Sequence, residues 1–140
     1  MAFELNYNEA IHLDAEDLAE TGIKEAYERL LPMLRRYVRS PAEMAELINN
    51  DLPSYSVRCL DTEYVIYSPD EDRSWHTATF AFFDIVNRQL AGTTYRFFAI
   101  NGGNDLHGMF LTVEQAEAAK TSIEREEDWP YVPTSADDVR

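Results

Sequence analysis

Acid–base chemistry near neutral pH needs a titratable side chain with an orienting partner, and the chain carries three histidines of that kind, His12, His76 and His107. His107 follows Asn104 and Asp105 closely, so a small enzyme could be assembled from this segment with His76 brought in by folding. The local sequence favours a plainer role. Asn101-Gly102-Gly103-Asn104 has the composition of a tight turn whose residues adopt positive φ, which leaves His107 as an ordinary strand residue. None of the histidines has the helical spacing of a zinc motif, so no metal site is expected. The glycine turn also lacks the Lys and Ser or Thr of a phosphate loop and leads into a strand rather than a helix. The sequence therefore predicts no catalytic residues and no cofactor.

Carboxylates are the other reactive class, and they are abundant: 26 Asp and Glu stand against 12 Lys and Arg, a formal net charge of −14 on 140 residues. Such a surplus favours solubility and steers basic partners to the surface. The acids fall in groups. Asp14, Glu16, Asp17 and Glu20 open a helix, where the positive end of the helix dipole already accounts for them. Asp61 and Glu63 flank a predicted turn. Asp70, Glu71 and Asp72 belong to no helix start and precede Arg73 and Trp75, an acidic loop beside an aromatic anchor, which are the ingredients of a protein interface. Glu124, Glu126, Glu127 and Asp128 form the last group. No group alternates oxygen ligands with a glycine and a closing Glu as a calcium loop does. Asp70, Glu71, Asp72, Trp75, Glu124, Glu126, Glu127 and Asp128 are the expected partner-binding residues.

These groups must be carried by folded elements. Asp14 is placed as the N-cap of a helical stretch to Arg39, with Gly22 and Pro32 as expected kinks or breaks; Arg35, Arg36 and Arg39 suit its negative end. Ser40-Pro41-Ala42-Glu43 has the form of a second helix start, followed by Met44, Leu47 and Ile48 and ended by Asn49, Asn50 and Pro53. Tyr55 to Leu60 and Glu63 to Ser68 are predicted strands joined by a turn at Asp61-Thr62. Apolar spacing predicts a helix from Trp75 to Leu90, although Thr77, Thr79 and the Phe cluster also suit a strand in its first half. Tyr95 to Asn101 and Leu106 to Leu111 form a second strand pair, and Thr112 with Gln115 makes a capping box for a closing helix lined by Ala116, Ala119 and Ile123. The polar tail, residues 124–140, is expected to be partly extended, with Trp129 and Tyr131 folding back on the core as a strap. The order gives a single α+β domain over residues 1–140, with a mostly antiparallel sheet of about four strands packed against helices.

With 45% hydrophobic residues the chain has ample core material despite its charge. A lone Cys59 in an apolar run excludes an intramolecular disulfide and predicts a buried, inert thiol, in keeping with a reducing cytoplasm. Residues 1–8 lack the features of a signal peptide, and no apolar stretch is long enough to span a bilayer. The expectation is a cytoplasmic protein without membrane contact.

The acidic first helix, the Phe-rich segment from Ala81 to Leu90, the stretch from Asn101 to Thr112 and the Asp128-Trp129-Pro130-Tyr131 tail together resemble the small acidic immunity proteins encoded beside bacterial polymorphic or contact-dependent toxins. That resemblance implies a cytoplasmic, non-enzymatic protein that binds a cognate toxin at or near its active site. Many such toxins are basic nucleases, so complementary charge would speed encounter and select the partner, with no direct contact to nucleic acid. A DNA mimic that occupies nucleic-acid sites on basic proteins, and a small enzyme using His107 or His76, are the alternatives.

Overall fold

The computed structural model describes residues 4–70 and 73–140; Glu71 and Asp72, two of the expected partner-binding residues, lie outside the described residues. A central helix, α3 (Ser74–Leu90), organises the rest. Ala78, Ala81, Phe82, Phe83, Ile85, Val86 and Leu90 are buried, so the helix is covered on most of its circumference. Fully burying Phe82, Phe83, Ile85, Val86 or Leu90 is worth roughly 1.5–3 kcal/mol each, so α3 contributes heavily to the core. The helical spacing thus prevails over the strand tendency of its first half: Thr79 satisfies its buried hydroxyl by donating to the Trp75 carbonyl (2.8 Å), and Thr77 donates to Ile66 of a neighbouring strand.

Two antiparallel sheets flank this helix. β1 (Ile11–His12), β6 (His107–Thr112) and β5 (Tyr95–Ile100) form the first, in the order β1-β6-β5. β2 (Ala45–Asn49), β3 (Ser54–Cys59) and β4 (Thr62–Tyr67) form the second, in sequence order. The expected α+β class holds; the four anticipated strands are β3 to β6, and β1 and β2 extend the two pairs into separate sheets. α3 packs on both β4 and β5. Phe97 of β5 stacks on Phe83 of α3 with centroids 4.8 Å apart and lies 4.7 Å from Phe110 of β6. Gly108 makes room for it: a Cβ there would fall 2.2 Å from the Phe97 ring. The opposite face of the first sheet is also covered, since Phe98, Ile100, Met109 and Leu111 cluster with Ala116 of α4 (Val113–Lys120) and with Leu5 and Val132.

The N-terminal helical stretch divides as its glycine implies. α1 (Ala15–Glu20) is capped by Asp14, whose Oδ1 accepts from the N–H groups of Glu16 and Asp17, and α2 (Ile23–Leu34) starts after Gly22 at φ 112°. Pro32 lies inside α2 and does not break it. Tyr55 ties this start to the second sheet: Ile23 N–H donates to its hydroxyl (3.0 Å), which donates to Glu46 Oε2 (2.6 Å). Burial, then this carboxylate, push the Tyr55 pKa up.

Residues 40–53 overturn the expected second helix. Ala42 is kept out of a helix by tertiary bonds to both of its backbone groups: Tyr27 hydroxyl donates to its carbonyl (2.7 Å) and its N–H donates to Gln89 Oε1 (2.7 Å), with Gln89 Nε2 donating back to Tyr27 (3.0 Å). The chain then enters β2 instead, and the local capping signal loses to tertiary hydrogen bonding. The β3–β4 turn also shifts by one residue. Leu60 and Asp61 occupy it at φ 53° and 59°, the pair of positive φ values of a two-residue type I′ hairpin, while Thr62 already pairs with Cys59. α2 also stops at Leu34, short of the expected end at Arg39, so Arg35 is its C-cap and Arg36 and Arg39 lie beyond it; the remaining helix and strand expectations, including the Thr112–Gln115 capping box, agree with the structure. Ile123 lies beyond the end of α4, where its carbonyl accepts from Trp129 Nε1 (3.0 Å).

Candidate binding surface

The C-terminal residues form the expected strap and build the surface that carries the last acidic group. Tyr131 pairs with Ala99 of β5 through both backbone groups (2.7 and 3.0 Å), adding a single bridge to that strand's outer edge. Arg140 lies over the Tyr131 ring (4.3 Å) and donates from its NH1 to the carbonyls of Glu126 (3.2 Å), Glu127 (3.1 Å) and Trp129 (2.9 Å). Its backbone rests on Gly102, where a Cβ would fall 1.8 Å from the Arg140 carbonyl oxygen, so the glycine serves this close approach rather than a positive φ. Between these contacts Asp138 closes a turn, accepting from Thr134 Oγ1 (2.7 Å), Thr134 N–H (3.0 Å) and Ser135 N–H (3.1 Å). Burial pushes its pKa up, but these hydrogen bonds outweigh that and hold the carboxyl below its ordinary value.

The strap is anchored at two places, each next to predicted partner-binding residues. Asp137 pairs with Arg73 at the start of α3, next to Trp75, while Arg140 holds the turn that carries Glu126 and Glu127. Trp75 is 36% exposed, and Asp70, Glu124, Glu126 and Glu127 are exposed, with Asp128 half-buried. Arg125 offsets part of the charge, reaching Glu127 (2.8 Å) and Asp128 (3.8 Å). The Glu127 carboxyl is drawn below its ordinary value by its own backbone N–H and then by Arg125. Trp129 is half-buried in the strap, beneath Lys120 at 5.4 Å, so Trp75 is the more accessible of the two anchors.

Folding pairs His107 with His12 rather than with His76. The two rings face each other across β1 and β6 with centroids 4.9 Å apart, while His76 is exposed on the first turn of α3. His12 Nε2 donates to the Asn104 carbonyl (3.0 Å) and His107 Nδ1 to the Asp105 carbonyl (2.8 Å). The orienting groups are therefore backbone oxygens; the Asp105 carboxylate turns to Asn101 (3.5 Å). Asp14 and Glu16 hold the Asn104 amide instead (3.0 and 3.3 Å). Together with Asp17, Glu20, Thr21 and Arg29, His12 and these acids line an open hollow of about 440 Å³. Glu20 lies against Glu16, and their shared hydrogen bond, then mutual repulsion, raise its pKa. Among the described residues no group of three or more His, Cys, Asp or Glu side chains is arranged to hold a metal ion, and no helix is long and apolar enough to cross a membrane. Cys59 is buried, and burial pushes its thiol pKa up.

One exposed surface was hidden by the helix expectation for residues 40–53. Every residue from Ala45 to Pro53 is exposed, including Leu47, Ile48 (60% exposed) and Leu52 (62%). The bracketing of Ala45–Asn49 by Pro41 and by Asn50 and Pro53 is the signal that pointed to a short strand. No protein-family model matches the chain, and no curated protein or solved structure matches it.

Proposed function

We propose that this is a non-enzymatic acidic binding protein, an immunity protein of the cytoplasm that neutralises a cognate basic toxin domain. The observation that carries the reading is the charge surplus of 14 displayed on a folded body, with Asp70 and Trp75 exposed ahead of and at the start of α3 and Glu124, Glu126 and Glu127 exposed on the strap. An acidic rim around an aromatic anchor suits fast, selective capture of a basic partner, with charge setting the encounter rate and Trp75 lending apolar contact.

Co-expression with the product of the neighbouring gene tests this directly. A stable one-to-one complex with a basic, toxic polypeptide, and protection of cells from it, is the expected result; no partner and no protection would sink the reading. Association should slow markedly as salt is raised through the range where the screening length falls below about 10 Å. DNA competition across several unrelated basic proteins would point instead to a DNA mimic. An enzymatic role would be exposed by any activity that the double substitution His107→Ala, His76→Ala removes.

A further inference from the structure

Two of the four sheet edges are short or closed, and a third is partly covered by α3. β1 has two residues. On β5, Asn87 of α3 reads both backbone groups of Phe97, donating to its carbonyl (2.9 Å) and accepting from its N–H (2.7 Å), and Tyr131 covers Ala99. On β4 one backbone group is taken, since Thr77 donates to the Ile66 carbonyl, while Arg88 reaches the Thr62 hydroxyl (2.9 Å) and the Leu60 carbonyl (3.4 Å) of the adjoining turn. β2 is different. It is five residues long, pairs with β3 on one side only, and among the described residues no segment hydrogen-bonds to its outer side.

Natural edges are normally blunted by charge, proline, a bulge or a covering loop. The one charged side chain of β2, Glu46, gives a carboxylate oxygen to Tyr55, and the strand presents Leu47 and Ile48 to solvent. Acids frame it: Glu43 and Asp51 stand exposed at its two ends, and Glu20 lines with Glu46, Ile48 and Tyr55 a groove of about 120 Å³ alongside.

We infer that the outer edge of β2 is a docking strand that receives an extended, basic segment of a partner protein by strand addition. Backbone bonds to the open edge would supply affinity, apolar side chains would lie against Leu47 and Ile48, and Lys or Arg would meet Glu43 and Asp51. A second copy of this chain fits poorly. Two β2 strands paired antiparallel about Leu47 set Glu43 opposite Asp51 at both ends, and each body brings a net charge of −14. The inference rests on the proposal that the partner is a basic polypeptide.

The test uses the full chain, isotope-labelled for amide NMR, and the capped peptide KTVIKVK, with a control of equal charge methylated at every second backbone nitrogen. Two controls cover both alternations, so one of them blocks pairing to β2. The parent peptide should shift the amides of Ala45–Asn49 and slow their hydrogen exchange at least tenfold, and one control should bind at least tenfold more weakly. The variant Leu47→Thr, Ile48→Thr, which retains strand-compatible residues and unchanged charge, should weaken the parent peptide at least fivefold. Equal binding of all three peptides, shifts confined to Asp70 and Glu124–Asp128, or no binding would overturn the docking strand. So would a dimer of the free protein in which these amides are already protected. Failure here is separable from failure of the proposed function. A toxin complex that leaves the β2 amides unprotected keeps the function and removes the strand, whereas peptide pairing at β2 without any toxin partner keeps the strand and removes the function.

Discussion

Both sheets are three-stranded and antiparallel, yet they treat water in opposite ways. The β1-β6-β5 sheet is buried on both faces, and its long edge is closed by an asparagine and a tyrosine backbone. The β2-β3-β4 sheet buries Tyr55, Val57, Tyr64 and Ile66 on one side, while Leu47 and Val65 remain exposed and β2 is open along its length. The enclosed sheet gives its surfaces to the core, while the other leaves one edge and part of a face to solvent. The difference also explains where the fold tolerates change.

Phe97→Ala should cost the most, about 3–5 kcal/mol, because it empties the centre of the enclosed sheet, and urea unfolding measures it. If the loss is under 1 kcal/mol, the idea that this sheet holds the fold together is broken. Asn87→Leu should follow at about 1–3 kcal/mol, since it strips partners from both backbone groups of Phe97, and it should raise aggregation by opening that edge. Gly102→Ala should cost about 1–2 kcal/mol by lifting Arg140 from its seat, seen chiefly as faster hydrogen exchange at the Ala99 amide. Unchanged exchange there would show that the strap is held elsewhere. A smaller effect follows from acid. Asp138 has a folded pKa below its unfolded one, so its contribution is complete above the ordinary carboxylate range near 4 and is lost as pH falls through the folded value. The indole signal of Trp129 should therefore shift below about pH 4, and Asp138→Asn should remove that shift. The smallest change belongs to the open sheet: Leu47→Thr with Ile48→Thr should move stability by no more than about 0.5 kcal/mol per residue.

Legibility in the sequence followed how local the controlling interaction was. The α3 stripe, the Asp14 cap and the Thr112–Gln115 box are settled within a few residues of chain, and each is visible in the sequence. β2 was hidden because Tyr27 and Gln89, distant in sequence, keep Ala42 out of a helix over a genuine helix-start signal. Its exposed edge was lost with it. β1 was missed for the same reason, since two residues have no period of their own and Ile11 and His12 gain strand identity only from Gly108 and His107. In the candidate surface, the exposed acids and Trp75 are evident from clustering, whereas the role of Arg140 in holding the turn of Glu126 and Glu127 depends on a strap whose geometry no local pattern encodes.

The pairing of Ile11 and His12 with residues 107 and 108 has a consequence for synthesis. Together with the Tyr131 bridge, it means the enclosed sheet draws on residues 11–12 and 131 as well as 95–112, while the open sheet is assembled from one contiguous stretch, residues 45–67. On the ribosome the open sheet can therefore pair long before the enclosed one is complete, and Leu47 and Ile48 are displayed among crowded nascent copies. Glu43, Glu46 and Asp51 then act as a mutual repellent between neighbouring chains during that interval.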